Sequence, residues 1–434
     1  MTPALRIFAS AALLLLSGSA LAQDGAALNG GNTAWILTST ALVLFMTLPG
    51  LSLFYGGLVR TKNVLSVLMQ CFAIASVISI LWLLAGYSIA FGPAESGYWG
   101  GLSKALFSGV TVDSLAGDIP ESVFATFQMT FAIITPALMV GAFVERIKFS
   151  SMLLFTSLWT LLVYFPVANW VWGGGWLQQM GLIDFAGGTV VHVTAGVGAL
   201  VTAIYLGPRK GFLTSAMLPH NLTMSFTGAG MLWVGWFGFN AGSALAADGS
   251  AGMAMLVTHL SAATGAVSWM AIEWLKHGKP SGLGAITGMV AGLATITPAS
   301  GSVGPAGALI LGLSGGIVCY YCTLSLKQKL RIDDSLDVFP VHGVGGIVGT
   351  LLAGVFVSGG LGVFSGNGLA DGMTIASQLG VQVFGIVVVA LFTLVVTAGL
   401  LRVVSAVTGG IRVSEEEEQI GLDIVDHDEK GYSM

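Results

Sequence analysis

Charge is scarce in this sequence. Of 434 residues only 9% are Asp, Glu, Lys or Arg, against roughly a quarter in ordinary soluble domains. That excludes the water-soluble, two- or three-domain protein the length would otherwise allow. Cysteine is nearly missing: Cys71, Cys319 and Cys322 all fall in apolar runs, so no disulfide framework is written here. Cys319-Tyr-Tyr-Cys322 has redox spacing but no second pair, and reads as packing. No hydrolase or metal-site constellation carries weight, so the reading is not of an enzyme, and no cofactor or metal is expected. The net charge of −5 says little, because much of it sits in the last residues.

What fills the chain is apolar: 55% of residues are hydrophobic, and 62 are glycine, about twice the usual share. In a bilayer, glycine on a helix surface lets backbones approach closely. Gly284, Gly288 and Gly292 form one such stripe, and Gly304, Ala308, Gly312 and Gly316 another. Residues 1–22 read as a signal peptide: Arg6, an apolar run from Ala9 to Leu16, then the small-residue site Ala20-Leu21-Ala22. Beyond it the expected class is an all-α integral membrane protein with eleven spans. They fall near 33–56, 64–91, 121–143, 149–170, 188–207, 220–242, 252–274, 282–298, 304–326, 340–357 and 374–406. If the mature N-terminus is outside, 14 of the 16 basic residues lie in cytoplasmic loops and the tail. Only Lys104 is external and Arg6 belongs to the signal peptide. This is the positive-inside pattern of an N-out, C-in chain. The last span is the longest and should tilt or protrude.

Two stretches put histidine inside apolar spans: Asp184-Phe185 to Val191-His192, and Asp337-Val338-Phe339-Pro340-Val341-His342. An ionisable group within a bilayer is a functional hypothesis by default. His192 falls on the fifth span and His342 on the tenth, suggesting two inverted five-helix halves, 33–207 and 220–357, with 374–406 as a long final helix. The two imidazoles can then meet near the midplane. Aromatic and polar residues gather at the outer ends of neighbouring spans: Phe127, Gln128 and Phe131; Trp170 and Trp172; and Gly235 to Ser243. Jointly they suggest a vestibule over the histidines.

These strings, with Pro49-Gly50-Leu51-Ser52-Leu53-Phe54-Tyr55-Gly56-Gly57, resemble the ammonium transporter/methylammonium permease/Rhesus protein family, in its bacterial ammonium transporters. The resemblance runs from Leu42 to Asp423. It implies a pore through each subunit of a homotrimer in the inner membrane, carrying ammonium, ammonia or methylammonium. Trp172, Phe131 and Ser243 would bind the cation outside, with Trp172 rather than Trp170 as the ring. Phe131 and Phe239 would gate a hydrophobic pore lined by His192 and His342. Asp184, Phe127, Gln128 and Trp236 would support the site. Asp184 is expected either to cap its helix or to favour the cation. Asp337 is expected to hold the matching place in the second half, as a structural residue. His220 and Asn221 read as loop or cap residues. The acidic tail, 408–434, would be a solvated charge run or, as the resemblance implies, a segment packing across subunits. A PII-type nitrogen-signalling protein is the implied partner on the cytoplasmic face. An ammonium sensor on the same fold is the alternative, disfavoured by the short tail. A haem protein with His192 and His342 as axial ligands is a further one.

Overall fold

Apolar segments in lipid must satisfy their own backbone groups, so they fold as helices. The structure, a computed structural model, describes residues 27–93 and 97–432, so the expected signal peptide lies outside the described residues. The first half holds α1 (Gly30–Leu58), α2 (Thr61–Phe91), α3 (Glu121–Phe143), α4 (Phe149–Gln179) and α5 (Gly188–Leu206). Next come α6 (Leu222–Gly242), α7 (Gly249–His277), α8 (Gly282–Ala299), α9 (Pro305–Lys329), α10 (Phe339–Phe356) and α11 (Ile375–Thr408). Ten of these are long and apolar enough to cross a membrane. The exception is α6, 21 residues long, whose glycines, Thr, Ser and Asn dilute its apolar character. A two-stranded hairpin, β1 (Leu115–Ala116) with β2 (Ile119–Pro120), lies between α2 and α3.

α3, α5 and α8 sit innermost, whereas α7, α9 and α11 turn large apolar side chains outward. Leu256, Leu313 and Leu391 are among the exposed leucines a lipid phase would cover. The glycine stripes act as their spacing predicts. A Cβ at Gly292 or Gly312 would lie 2.2 or 2.4 Å from Ser261 O of α7, so α8 and α9 both close onto that helix. α11 spans 34 residues, about 51 Å at 1.5 Å per residue, well beyond a hydrocarbon core of about 30 Å. The excess agrees with the expected tilt or protrusion.

The C-terminal segment forms α12 (Glu415–Ile420) and α13 (Leu422–His427), docked on this chain's own loops. Lys148 N donates to Ile411 O at 3.0 Å and Val413 N to Arg146 O at 3.1 Å. Glu418, inside the acidic run, is buried; it accepts from Lys210 N at 2.7 Å and pairs with Arg412 at 3.0 Å. Beneath it Arg209 bridges Asp333 at 2.9 Å and Glu145 at 3.1 Å. Burial pushes both carboxyls up, but Arg209, joined by Arg60 at Glu145 and by Arg146 at Asp333, outweighs it and holds them below the ordinary range.

Candidate functional site

The two histidines are placed by matching local devices. Asp184 ends the loop before α5, and its carboxylate gathers the orphan donors of that helix start. One oxygen accepts from Gly187 N at 2.8 Å and Gly188 N at 2.6 Å. The other accepts from Thr189 N at 2.8 Å, Val190 N at 3.2 Å and the Thr189 hydroxyl. Gly187, at φ 115°, supplies a left-handed turn, and Gly188–Val193 then winds as a π-turn carrying His192.

In the second half the aspartate that does this is Asp334, not Asp337. Asp334 accepts from Phe339 N at 2.7 Å and stands eight residues before His342, as Asp184 stands eight before His192. Asp337, with φ 63°, occupies the position of Gly187 and pairs with Lys327 at 2.7 Å. The Asp-to-Phe strings of the two halves are three residues out of step, and spacing to histidine gives the true pairing. Phe339–Gly343 is again a π-turn, carrying His342. The turns cross where neither can hold a side chain: a Cβ at Gly196 would sit 2.2 Å from Gly343 Cα, and one at Gly346 would sit 2.8 Å from His192 Cβ.

This crossing brings the imidazoles together. His192 Nδ1 and His342 Nδ1 are 3.3 Å apart, both rings buried. A hydrogen bond between two Nδ1 atoms requires one to donate and the other to accept. The Nε2 of one ring then carries a proton and that of the other a lone pair. His192 Nε2 meets no hydrogen-bond partner. Trp236 stacks on His192 at 5.5 Å between centroids and is held by its own bond to Thr297 Oγ1 at 2.9 Å. The two rings contact each other directly, 5.3 Å between centroids, with no porphyrin-wide gap between them as the haem alternative requires, and among the described residues no three His, Cys, Asp or Glu side chains gather as a metal site.

Three cavities lie in series around this pair. At the end remote from the tail, Gln128, Phe131, Trp172, Phe185 and Ser243 line a cavity of about 150 Å³. In the middle, the histidines, Trp236, Phe239 and aliphatic side chains leave only about 10 Å³, room for about one water. Toward the tail, His342, Tyr55, Lys327, Ser335 and Asp337 line about 120 Å³. His342 borders the last two. Between the first two stand Phe131 and Phe239, ring centroids 4.2 Å apart. Phe127 braces Phe131 edge-on at 5.0 Å.

In the first cavity Trp172 sits 5.7 Å from Phe131, its indole N–H donating to Asp184 O at 2.8 Å. The Ser243 hydroxyl donates to Phe239 O at 2.9 Å, leaving its lone pairs free to accept. Gln128 Oε1 is buried without a partner. Trp170 points elsewhere, donating to Tyr98 O at 2.8 Å and packing on Phe392. Asn221 caps α6 through Met224 N at 2.9 Å, and His220 reaches Val59 O at 2.8 Å. Sequence reasoning missed Asp334, Thr297, and the pair Gln378 and Gln382. The last left a legible trace, two amides four residues apart in a very apolar helix.

Ten helices long and apolar enough to cross a membrane mark a multi-pass membrane protein. The chain belongs to the Ammonium Transporter Family, whose model matches residues 34–432. It is 46% identical to an ammonium transporter of Bacillus subtilis over 93% of this chain and 98% of that one. An ammonium transporter of Aquifex aeolicus is 45% identical over 97% and 98%. Among solved structures, Saccharomyces cerevisiae Mep2 superposes with a TM-score of 0.81 at 36% identity, covering 90% of this chain and 92% of that one. A structure titled Sensor Amt Protein superposes at 0.84 with 29% identity, over 92% and 98%.

Proposed function

We propose that this chain moves ammonium across the bacterial inner membrane by recruiting the cation and conducting it as ammonia. The observation that carries the reading is the 3.3 Å His192–His342 contact in a nearly apolar cavity behind two phenylalanines packed at a tilt. Family membership and the names of the relatives support the substrate. Ammonium fits the outer cavity: the Trp172 and Phe131 rings attract a compact cation by roughly 0.5–2 kcal/mol, and Ser243 accepts one of its hydrogen bonds. The Phe131–Phe239 gate strips water. A bare ammonium beyond it costs several kcal/mol, so losing a proton is the cheaper route. The imidazole pair offers an acceptor nitrogen for that proton and a donor for the resulting ammonia, and can relay the proton onward. Potassium, with no proton to lose, is rejected. Net charge transfer follows.

The wider frame belongs to the same proposal. Equal offsets from each histidine to Asp184 or Asp334, and to Gly196 or Gly346, support two inverted five-helix repeats. The basic loops support N-out, C-in orientation. For the homotrimer, the support is His259: it is exposed about 15 Å along α7, beside Trp233 at 5.2 Å, at a depth where lipid is a poor neighbour for imidazole. A second copy would cover it. The docked tail offers the cytoplasmic face on which a PII-type protein would sit. The sensor alternative draws on one structural neighbour's title alone, and the curated relatives reported above are named transporters.

The deciding experiment is labelled methylammonium uptake into vesicles, wild type against His192→Ala, with solid-supported-membrane currents on an ammonium jump. Uptake with a current is expected for wild type and loss of both in the variant. Vesicles equally permeable with and without protein would end the transport reading, and uptake without current would end net charge transfer.

A further inference from the structure

Buried amides are expensive in an apolar helix unless every polar atom is used. α11 carries two, Gln378 and Gln382, one turn apart, both buried. Gln382 uses its whole amide. Its Oε1 accepts from Ile183 N at 2.9 Å and from Gln378 Nε2 at 3.1 Å. Its Nε2 donates to Ile183 O at 2.8 Å and to Thr350 O at 2.9 Å. Gln378 adds a bond to Gly181 O at 2.9 Å. The result is a strand-like clamp on Ile183 in a loop that has no helical partner of its own.

Ile183 precedes the residue on which the whole site turns. The Asp184 carbonyl accepts the Trp172 indole N–H, and its carboxylate caps the turn that bears His192. Thr350 belongs to α10, the helix whose first turn carries His342. A single side chain therefore ties the last helix, the loop under the Trp172 ring and the His342 helix into one frame.

We propose that Gln382 is a positioning residue for substrate selection: it fixes the height of the Trp172 ring over Phe131 by holding the Ile183–Asp184 backbone. It touches no substrate. This rests on the reading of Trp172 as the cation site. Without the clamp the loop regains freedom and the ring loses its fixed distance from the cation, while the five donors on the Asp184 carboxylate still hold the turn of His192. Recruitment should weaken and conduction should not.

The test measures methylammonium uptake by proteoliposomes across a concentration series for Gln382→Leu, Gln382→Glu, Trp172→Leu and Gln382→Leu combined with Trp172→Leu. Gln382→Glu keeps the acceptor for Ile183 N and guards against a leucine variant that fails to fold. Expected is a half-saturation raised about tenfold in Gln382→Leu, less in Gln382→Glu, with maximal rate within about twofold. The double variant should match Trp172→Leu alone, because the clamp acts through that ring. A fall in maximal rate with half-saturation unchanged would overturn the proposal, as would effects that multiply in the double variant. Unchanged half-saturation in Trp172→Leu itself would instead overturn the cation-site reading, and this inference with it.

Discussion

Replacing Asp184 with Asn tests whether its carboxylate works as scaffold or as charge. The side chain is buried and receives four backbone N–H groups and one hydroxyl, two donors on one oxygen and three on the other. Asn is nearly the same size but presents one oxygen and one NH₂ group. Whichever way it turns, at least two backbone N–H groups lose their acceptor; the Thr189 hydroxyl can rotate to accept instead. At about 1–3 kcal/mol for each orphaned donor, the loss is about 2–6 kcal/mol, concentrated on the turn that holds His192. Asp184→Asn should therefore lower the thermal unfolding midpoint in detergent and abolish methylammonium uptake by the folded fraction. Thr189→Val, which removes the hydroxyl alone, should cost about 1 kcal/mol and keep transport. A carboxylate serving only to attract the cation predicts otherwise: an Asn variant as stable as wild type, with weakened, salt-sensitive half-saturation. That result would refute the capping argument.

Trp172→Leu removes the aromatic face while leaving Ser243 and the gate, so half-saturation for methylammonium should rise roughly 2- to 30-fold; unchanged uptake curves would place the cation elsewhere. Asp334 gives a pH prediction. Burial pushes its carboxyl up to about 7, reinforced by Asp337 and only partly offset by Phe339 N–H and Lys327, with Tyr55, Cys322 and Arg146 also in its field. Its unfolded value is about 3.9, so between these limits the folded state holds a proton the unfolded state has lost. Stability from this group is full below pH 4 or so and falls as pH rises toward 7, by a few kcal/mol in total. In Asp334→Asn, which keeps an acceptor for Phe339 N, the midpoint should fall less between pH 5 and 8. A parallel slope in both proteins would show that Asp334 does not titrate there.

Composition alone determined the class, because residues without charge cannot leave a bilayer and must close their hydrogen bonds as helices. Periodic glycines announced the close packing of α7 with α8 and α9, and the tryptophan beside Gly173 was legible as the one facing the vestibule. The two histidines stood out in apolar spans, and the structure brings them together. Tertiary structure decided what depends on crossing chains: which aspartate matches Asp184, which loop Gln382 holds, and how Glu418 of a charge run comes to be buried. Local sequence records how each segment meets lipid, since that depends on residues a turn apart. The contacts that set two rings 3.3 Å apart join residues 150 positions distant, and only the folded chain brings those positions together.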